Sequence, residues 1–184
     1  MRKLVCVSAL FMLLSLSAAA QDYSKAEVFG GYSYVHANVV GTGFNFNGGS
    51  GSFAFNPGHW WGLVADAGVY HNKDFGVSTT LISYLFGPRF SYHGAGRVIP
   101  FAQALFGGAR ADTTFIGVSG TENAFAVAVG GGIDARVTPH FAFRVAQAEY
   151  LMTKFNDGLN NRQNNLRLST GIVYRFGGGK GSNQ

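Results

Sequence analysis

The sequence predicts an all-β protein, a single eight-stranded antiparallel transmembrane β-barrel, from three observations. Charged residues make up only 12% of the 184 residues, against about a quarter in a typical soluble domain. Apolar and polar residues alternate with a period of two in eight stretches. After the first 20 residues, no apolar run is long enough to cross a bilayer as a helix, and only helices and closed barrels satisfy the backbone in lipid.

The first 20 residues have the pattern of a cleaved signal peptide. Arg2 and Lys3 precede an apolar run at 4–16, and three alanines at 18–20 offer a cleavage site before Gln21. The alternative is an uncleaved anchor, but the run is shorter than the ~20 residues that a spanning helix needs. We therefore expect an exported chain with a barrel at 21–177 and a flexible glycine-rich tail at 178–184.

The mature chain would hold no cysteine, because Cys6 lies in the predicted signal. Disulfides and cysteine-bound metals are then excluded, and an oxidising compartment suits the chain. Losing Arg2 and Lys3 with the signal lowers the net charge from +5 to +3. That excess is too small to indicate nucleic acid binding.

In the first four stretches, apolar residues occupy every second position, and polar or small residues occupy the positions between them. We call these two sets of positions the apolar parity and the polar parity. They run over 25–36 (Val28 and Tyr32 opposite Glu27), 48–56 (Phe53 opposite Ser52), 60–70 (Leu63 and Val69 opposite Asp66) and 79–92 (Ile82 and Phe86 opposite Arg89).

The last four stretches continue the pattern, with one irregularity. They run over 98–110, 124–136 (Val127 opposite Asp134), 140–153 and 164–176 (Leu168 and Ile172 opposite Arg167). In the seventh stretch, Arg144 and Glu149 have opposite parities. A β-bulge between them would return both side chains to one face.

The connections are predicted to alternate in length. Longer polar segments follow the odd-numbered stretches, at 38–47, 71–78, 111–123 and 156–163, and short turns follow the even-numbered ones, at 57–59, 93–97 and 137–139. Short periplasmic turns and longer outer loops are typical of outer-membrane barrels. Both termini are then predicted to be periplasmic.

Alternation alone would also suit a soluble barrel such as a lipocalin. A soluble barrel, however, needs charged residues over its outer face, whereas Lys25, Lys73, Lys154 and Lys180 all lie at strand ends, in loops or in the tail. The polar parity is instead rich in small residues, which suits the narrow interior of a small barrel. Aromatic residues at strand ends suit interfacial girdles: Tyr34, Trp60, Trp61, Tyr70, Tyr92, Tyr150, Tyr174 and Phe176.

Charged residues on the polar parity nearly balance, as charges in a low-dielectric interior must. Glu27 belongs to this set. The predicted lumenal ion-pair network consists of Asp66, Arg89, Asp134, Arg136, Arg144, Glu149, Arg167 and Arg175. Two interpretations are open: the pairs only satisfy one another and fix the strand register, or they form a gate that opens occasionally to small ions.

The closing stretch, from Leu166 to Gly177, resembles the last strand of OmpA-like outer-membrane barrels. Gly30-Gly31-Tyr32-Ser33-Tyr34 resembles their first strand, and Phe86-Gly87-Pro88-Arg89 followed by Pro100-Phe101-Ala102 is also similar. The resemblance extends over residues 24–177. It implies a monomeric eight-stranded barrel, inserted by the outer-membrane assembly machinery, with Tyr174 and Phe176 as the assembly signal. Eight residues follow Phe176 here, which departs from the family pattern.

Other motifs do not predict a catalytic or metal site. Gly130-Gly131-Gly132 continues as a strand, so close strand approach is favoured over a nucleotide loop. The five histidines lack metal-ligand spacing: His36, His59, His71, His93 and His140. Asp74 with His71, and Asp112 with Glu122, are the candidates for a barrel enzyme, but neither pair has a recognisable nucleophile.

The sequence therefore predicts a non-enzymatic outer-membrane barrel without a cofactor, which contacts outer-membrane lipid. Its role would be structural support or surface interaction through the outer loops. Three alternatives remain open: a narrow pore for small solutes, a lipid-A-modifying enzyme, and a soluble secreted ligand-binding barrel.

Overall fold

The structure is a computed structural model that describes residues 23–39, 42–74, 77–93, 96–115, 118–154 and 163–176. The predicted signal peptide at 1–20 and tail at 178–184 lie outside these residues. Throughout the described ranges, no helix is long and apolar enough to cross a membrane.

Eight antiparallel strands form one closed barrel, as the alternation predicts. The strands are β1 (Ala26–Val39), β2 (Thr42–Phe55), β3 (Trp61–Asp74), β4 (Val77–Ser91), β5 (Val98–Phe115), β6 (Val118–Arg136), β7 (Phe141–Lys154) and β8 (Gln163–Phe176). Each strand pairs with the next, and β1 also pairs with β8, where Glu27 lies opposite Arg175. Closure leaves no open sheet edge.

We call the end that holds Ala26, Phe176 and the turn at 137–140 the terminal end, and the opposite one the hairpin end. At the hairpin end the strands run further than predicted, with Val39 paired to Thr42 and Phe115 paired to Val118. The predicted long connections at 38–47, 71–78 and 111–123 are therefore wrong over most of their length. These segments resemble loops in the sequence because they lack the apolar face of a membrane-spanning strand, which a paired hairpin outside the hydrocarbon does not need.

The two parities separate as predicted for a membrane barrel. Leu63 is 38% exposed and Ile172 59% exposed on the outer wall, whereas Arg89 and Asp134 are 2% and 3% exposed inside. The apolar face is therefore outside and the charged face inside, which is the reverse of a soluble barrel.

A β-bulge in β7 is confirmed between Arg144 and Gln147, where the register to β8 shifts. Val145 and Ala146 are both exposed, so the alternation slips by one residue. As a result Arg144 and Glu149 both point into the lumen, where each is 1% exposed.

The interior is less polar than the sequence predicts. The sequence predicts Tyr70 in an interfacial girdle, and this is wrong, because Tyr70 is fully buried in the lumen. It follows Val69 on the opposite parity, and Gly68 leaves room for its ring, since a Cβ at Gly68 would collide with the Tyr70 side chain. Inward-facing apolar residues form a cluster around it, including Val35, Leu81, Leu85, Leu105 and Leu151.

Candidate functional site

The lumen holds a chain of alternating charges near the terminal end. Arg175 Nε donates to Glu27 Oε1 at 3.2 Å, and the other carboxylate oxygen of Glu27 lies 3.5 Å from Arg89 Nη1. Arg89 Nη2 donates to Asp134 Oδ2 at 3.1 Å. Arg144 completes the chain by donating to both oxygens of Asp134, at 2.8 and 3.0 Å. A bidentate pair of this kind is among the stronger protein hydrogen-bond arrangements.

Aromatic rings hold the arginines of this chain in place. The Arg89 guanidinium carbon lies 3.9 Å from the centroid of the Phe101 ring, and that of Arg144 lies 4.5 Å from the same ring. Arg144 also lies 4.2 Å from the ring of Phe29. Gly132 permits this packing, because a Cβ there would lie 2.8 Å from the tip of the Phe101 ring. Desolvated cation–π contacts are worth about 2 kcal/mol each.

A second charged group lies beside the first. Arg167 Nε donates to Glu149 Oε2 at 2.7 Å, and Arg167 Nη1 donates to Asp66 Oδ1 at 2.7 Å. The same Nη1 also donates to the Tyr70 hydroxyl at 3.1 Å. Glu149 accepts a further bond at 2.8 Å from Gln103 Nε2. Loss of Arg167 would leave two buried carboxylates without their cation. Loss of Glu149 would leave the Gln103 amide without its acceptor.

The two groups together are neutral, although neither is neutral alone. The first contains three arginines and two carboxylates, and the second contains one arginine and two carboxylates. The structure thus brings together seven of the eight residues of the predicted network. Arg136 is the eighth, and its Nη2 donates to the carbonyl of Gly96 at 3.3 Å, at the terminal end.

Several partners were missing from the predicted network. Glu27 had the correct parity and supplies the carboxylate that links Arg89 to Arg175. Gln103 and Gln147 are uncharged, so a search for charge balance passes over them, yet Gln147 accepts from Arg144 at 2.6 Å. Phe101 is inward-facing and would have been read as core packing. Its position between Arg89 and Arg144 could not be inferred without the strand register.

An apolar layer fills the lumen beside the second charged group and on its hairpin side. Leu105 and Leu151 are the next inward residues after Gln103 and Glu149, one step nearer the hairpin end, and they are 1% and 0% exposed. They belong to one buried cluster with Val35, Leu81 and Leu85, of which Val35 lies opposite Arg167 and Leu85 opposite Asp66 in the strand register. An ion crossing the barrel would have to lose its hydration to pass this layer.

The candidate catalytic pair of Asp112 and Glu122 does not assemble, and the pair of His71 and Asp74 lies partly outside the described residues. The ring nitrogen Nδ1 of His71 lies 3.0 Å from the Thr80 hydroxyl, and the side chain of Asp74 lies outside the described set. Asp112 accepts from Arg110 Nε and from the hydroxyl of Thr121, and Glu122 is exposed. The hydrogen bond from Thr121, followed by Arg110, lowers the pKa of Asp112. Across the described residues, no group of three or more metal-binding side chains converges.

A histidine cluster lies at the terminal end, in turns outside the barrel wall. His93 Nδ1 donates to the carbonyl of His59 at 2.9 Å, and Tyr23 packs against both imidazole rings, with centroids 5.2 and 5.9 Å away. His93 Nε2 is buried without a hydrogen-bond partner among the described residues. Burial lowers the pKa of His93, and the bond to His59 offsets this only in part.

Aromatic side chains mark both ends of the outer apolar band. At the terminal end Tyr174 lies 5.0 Å from Phe141 and 4.6 Å from Phe176, ring to ring, and Trp60 contacts Tyr92 at 5.7 Å. At the hairpin end, outward-facing tyrosines pair with asparagines. We call this set the collar: Tyr32, Tyr34, Asn45, Asn47, Tyr150 and Asn164.

Comparison with known proteins gives a family match over nearly the whole chain. A family model described as "Outer membrane protein beta-barrel domain" matches residues 6–176. A search of curated proteins found no match.

Among solved structures, Neisserial surface protein A (NspA) has a TM-score of 0.69 at 19% identity, covering 83% of this chain and 98% of that one. Ail, the attachment invasion locus protein of Yersinia pestis, has a TM-score of 0.60 at 17% identity, covering 84% and 99%. The N-terminal barrel of Pseudomonas aeruginosa OprF has a TM-score of 0.58 at 14% identity, covering 83% and 98%. At these identities the likeness shows the fold alone.

Proposed function

The chain belongs to the outer membrane protein beta-barrel domain family, and on this premise we propose that it is a closed, non-enzymatic barrel that presents rigid β-hairpins at the cell surface. Members of this family are outer-membrane barrels, so the barrel lies in the outer membrane of a Gram-negative cell. In our proposal the hairpin end faces outward, because the paired strands extend beyond the apolar band at that end, and in such barrels the longer extensions are extracellular. Residues 1–20 would then be the export signal.

The observation that carries the proposal is the continuation of the strands past the apolar band. On β5 and β6 the outward residues change from Phe106 and Phe125 to Arg110 and Asn123, yet strand pairing continues to Phe115 and Val118. Nine residues of tilted strand beyond Phe106 project on the order of 20 Å. A paired hairpin of this length is a stiff platform for contact with another surface.

The filled lumen supports a role at the surface rather than in transport. The ion-pair groups and the apolar layer together occupy the interior that a pore would need open. Ail, which has the same fold, is described as an attachment protein, and a role in attachment for this chain is part of our proposal. We further propose a monomer whose outward Tyr174 and Phe176 are read by the assembly machinery during insertion.

A trimmed hairpin tests the surface role. Replacing residues 112–121 by a short Gly-Asn turn removes the projecting part of β5–β6 and leaves the membrane band intact. Cells that lack the protein are complemented with the full or the trimmed chain, then assayed for attachment to immobilised matrix protein and for detergent sensitivity. We expect the trimmed chain to restore detergent resistance but not attachment. If it restores both fully, the hairpin has no surface role and a purely structural function is favoured.

A further inference from the structure

The collar has a regular geometry on the outer wall of β7, β8, β1 and β2. Tyr34 donates to Asn45 Oδ1 at 2.7 Å, Tyr150 donates to Asn164 Oδ1 at 2.6 Å, and Tyr32 donates to Asn47 Oδ1. In the strand register each asparagine lies one outward row nearer the hairpin end than its tyrosine. The hydroxyls therefore all point toward the hairpin end.

The collar lies where the outer wall changes from apolar to polar. On β8 the outward residues Ile172, Leu168 and Leu166 are apolar and exposed, and Asn164 follows them. On β1, Tyr34 is followed by His36, whose Nδ1 lies 2.7 Å from the same Asn45 oxygen. Tyrosine at such a boundary keeps its ring in hydrocarbon and its hydroxyl among the headgroups.

Donors dominate the outward side of the collar. Each asparagine oxygen already accepts from a tyrosine, so its Nδ2 group keeps two N–H donors. Within the described strands these three amide nitrogens have no acceptor on the protein. An acceptor-rich ligand would satisfy them.

Charge around the collar favours an anionic ligand. Lys73 is exposed on the outward face of β3, next to the collar strand β2, and Lys154 is exposed on the outward face of β7, nearer the hairpin end than Tyr150. Asp112 is the one outward-facing carboxylate near this height on the described strands. It is already paired, because its Oδ1 lies 3.1 Å from Arg110 Nε. Basic side chains at a membrane surface attract anionic headgroups.

We propose that the collar binds the phosphorylated saccharide headgroup of a glycolipid in the outer leaflet. The asparagine amides donate to sugar hydroxyls and phosphate oxygens, and Lys73 and Lys154 neutralise the phosphates. The tyrosines are positioning residues, because each holds an asparagine oxygen and turns the amide N–H groups outward. This inference rests on the orientation in the proposed function, in which the hairpin end faces outside.

The test compares lipids of equal charge but different headgroup. The full chain is folded into phosphatidylcholine vesicles that contain either lipid A or phosphatidylglycerol at matched negative charge, and retained lipid is counted by native mass spectrometry. Asn45, Asn47 and Asn164 are replaced together by alanine. The matched control is Asn123→Ala, an outward amide at similar height on β6, outside the collar.

We expect the unaltered chain and Asn123→Ala to retain lipid A at least about tenfold more strongly than phosphatidylglycerol, and the triple variant to lose that preference. Lys73→Gln with Lys154→Gln should weaken retention of both lipids. Equal retention of the two lipids by the unaltered chain, or an unchanged preference in the triple variant, would overturn the proposal. Vesicles present lipid on both sides, so this result is independent of attachment and of orientation in cells.

Discussion

The ring of Phe101 lies against the guanidinium of Arg89, with the Arg89 carbon 3.9 Å from the ring centroid. Arg144 lies 4.5 Å from the same ring, so one aromatic side chain supports two buried cations. We predict that Phe101→Leu destabilises the barrel by about 2–4 kcal/mol, because two desolvated cation–π contacts are lost and a cavity remains. Urea unfolding in detergent micelles, followed by the shift in gel mobility, measures the change.

The control for Phe101 is on the same strand. Phe106→Leu removes a ring of the same size from the outer wall, where Phe106 is 51% exposed. Because that ring meets lipid or detergent rather than a buried cation, the effect should be small. Equal losses for the two variants would mean that the rings contribute only apolar area.

Arg167 is predicted to be the most sensitive single residue of the second charged group. It pairs with both Glu149 and Asp66, and its side chain is fully buried. Arg167→Leu leaves two carboxylates unpaired in the lumen, which should cost about 3–5 kcal/mol in the free energy of unfolding. The same urea titration checks this value.

Removing the stranded carboxylates should rescue the Arg167 variant. Arg167→Leu combined with Glu149→Gln and Asp66→Asn removes both stranded carboxylates, so part of the lost stability should return, while the excess positive charge of the first group keeps the recovery incomplete. Arg110→Leu is the surface comparison, since that ion pair is exposed and screened by water. A triple variant as unstable as the single one would indicate that Arg167 acts through packing and not through charge.

The stability of the terminal end should depend on pH through His93. Its pKa is lowered in the folded barrel, chiefly by burial, so the unfolded chain takes up the proton first as the pH falls. This contribution to stability is fully present above the unfolded value of about 6.5 and declines as the pH falls from there toward the folded pKa. Thermal unfolding from pH 8 to pH 5 should show this loss, and His93→Gln should reduce it. His140→Gln, an exposed turn residue, should leave the profile unchanged; an unaltered profile in His93→Gln would contradict the prediction.

The β7 bulge illustrates what the sequence can predict. Period-two alternation identified eight strands, and the charges at Arg144 and Glu149 demanded a common face that their spacing forbids. A single inserted residue resolves that conflict, and the register shift lies between Arg144 and Gln147. The alternation and the cost of burying an unpaired charge were sufficient to predict the bulge, because both constraints act within one strand.

Tyr70 and Leu105 illustrate what the sequence could not predict. Alternation alone places both side chains inside. Tyr70 was nevertheless expected in an interfacial girdle, and the inward positions were expected to hold polar or small residues. Their position depends on neighbours from other strands: the Tyr70 hydroxyl accepts from Arg167, and Leu105 packs in a cluster drawn from several strands. Such contacts follow from barrel closure and stagger, which fix which side chains meet across the lumen.

The two layers of the lumen should close the barrel independently. Arg144→Ala with Asp134→Ala removes one arginine and one carboxylate, so the lumen stays neutral and Arg89 keeps its ion pair with Glu27. Leu85→Ala, Leu105→Ala and Leu151→Ala together thin the apolar layer. In planar bilayers we expect no steady conductance from the unaltered barrel or from either set alone, since the remaining layer still blocks hydrated ions. The combined variant should conduct, provided its gel mobility shows a folded barrel. Steady channels from the Arg144 and Asp134 pair variant alone would reveal a path around the leucines, and the charged groups would then act as a gate instead of a static plug.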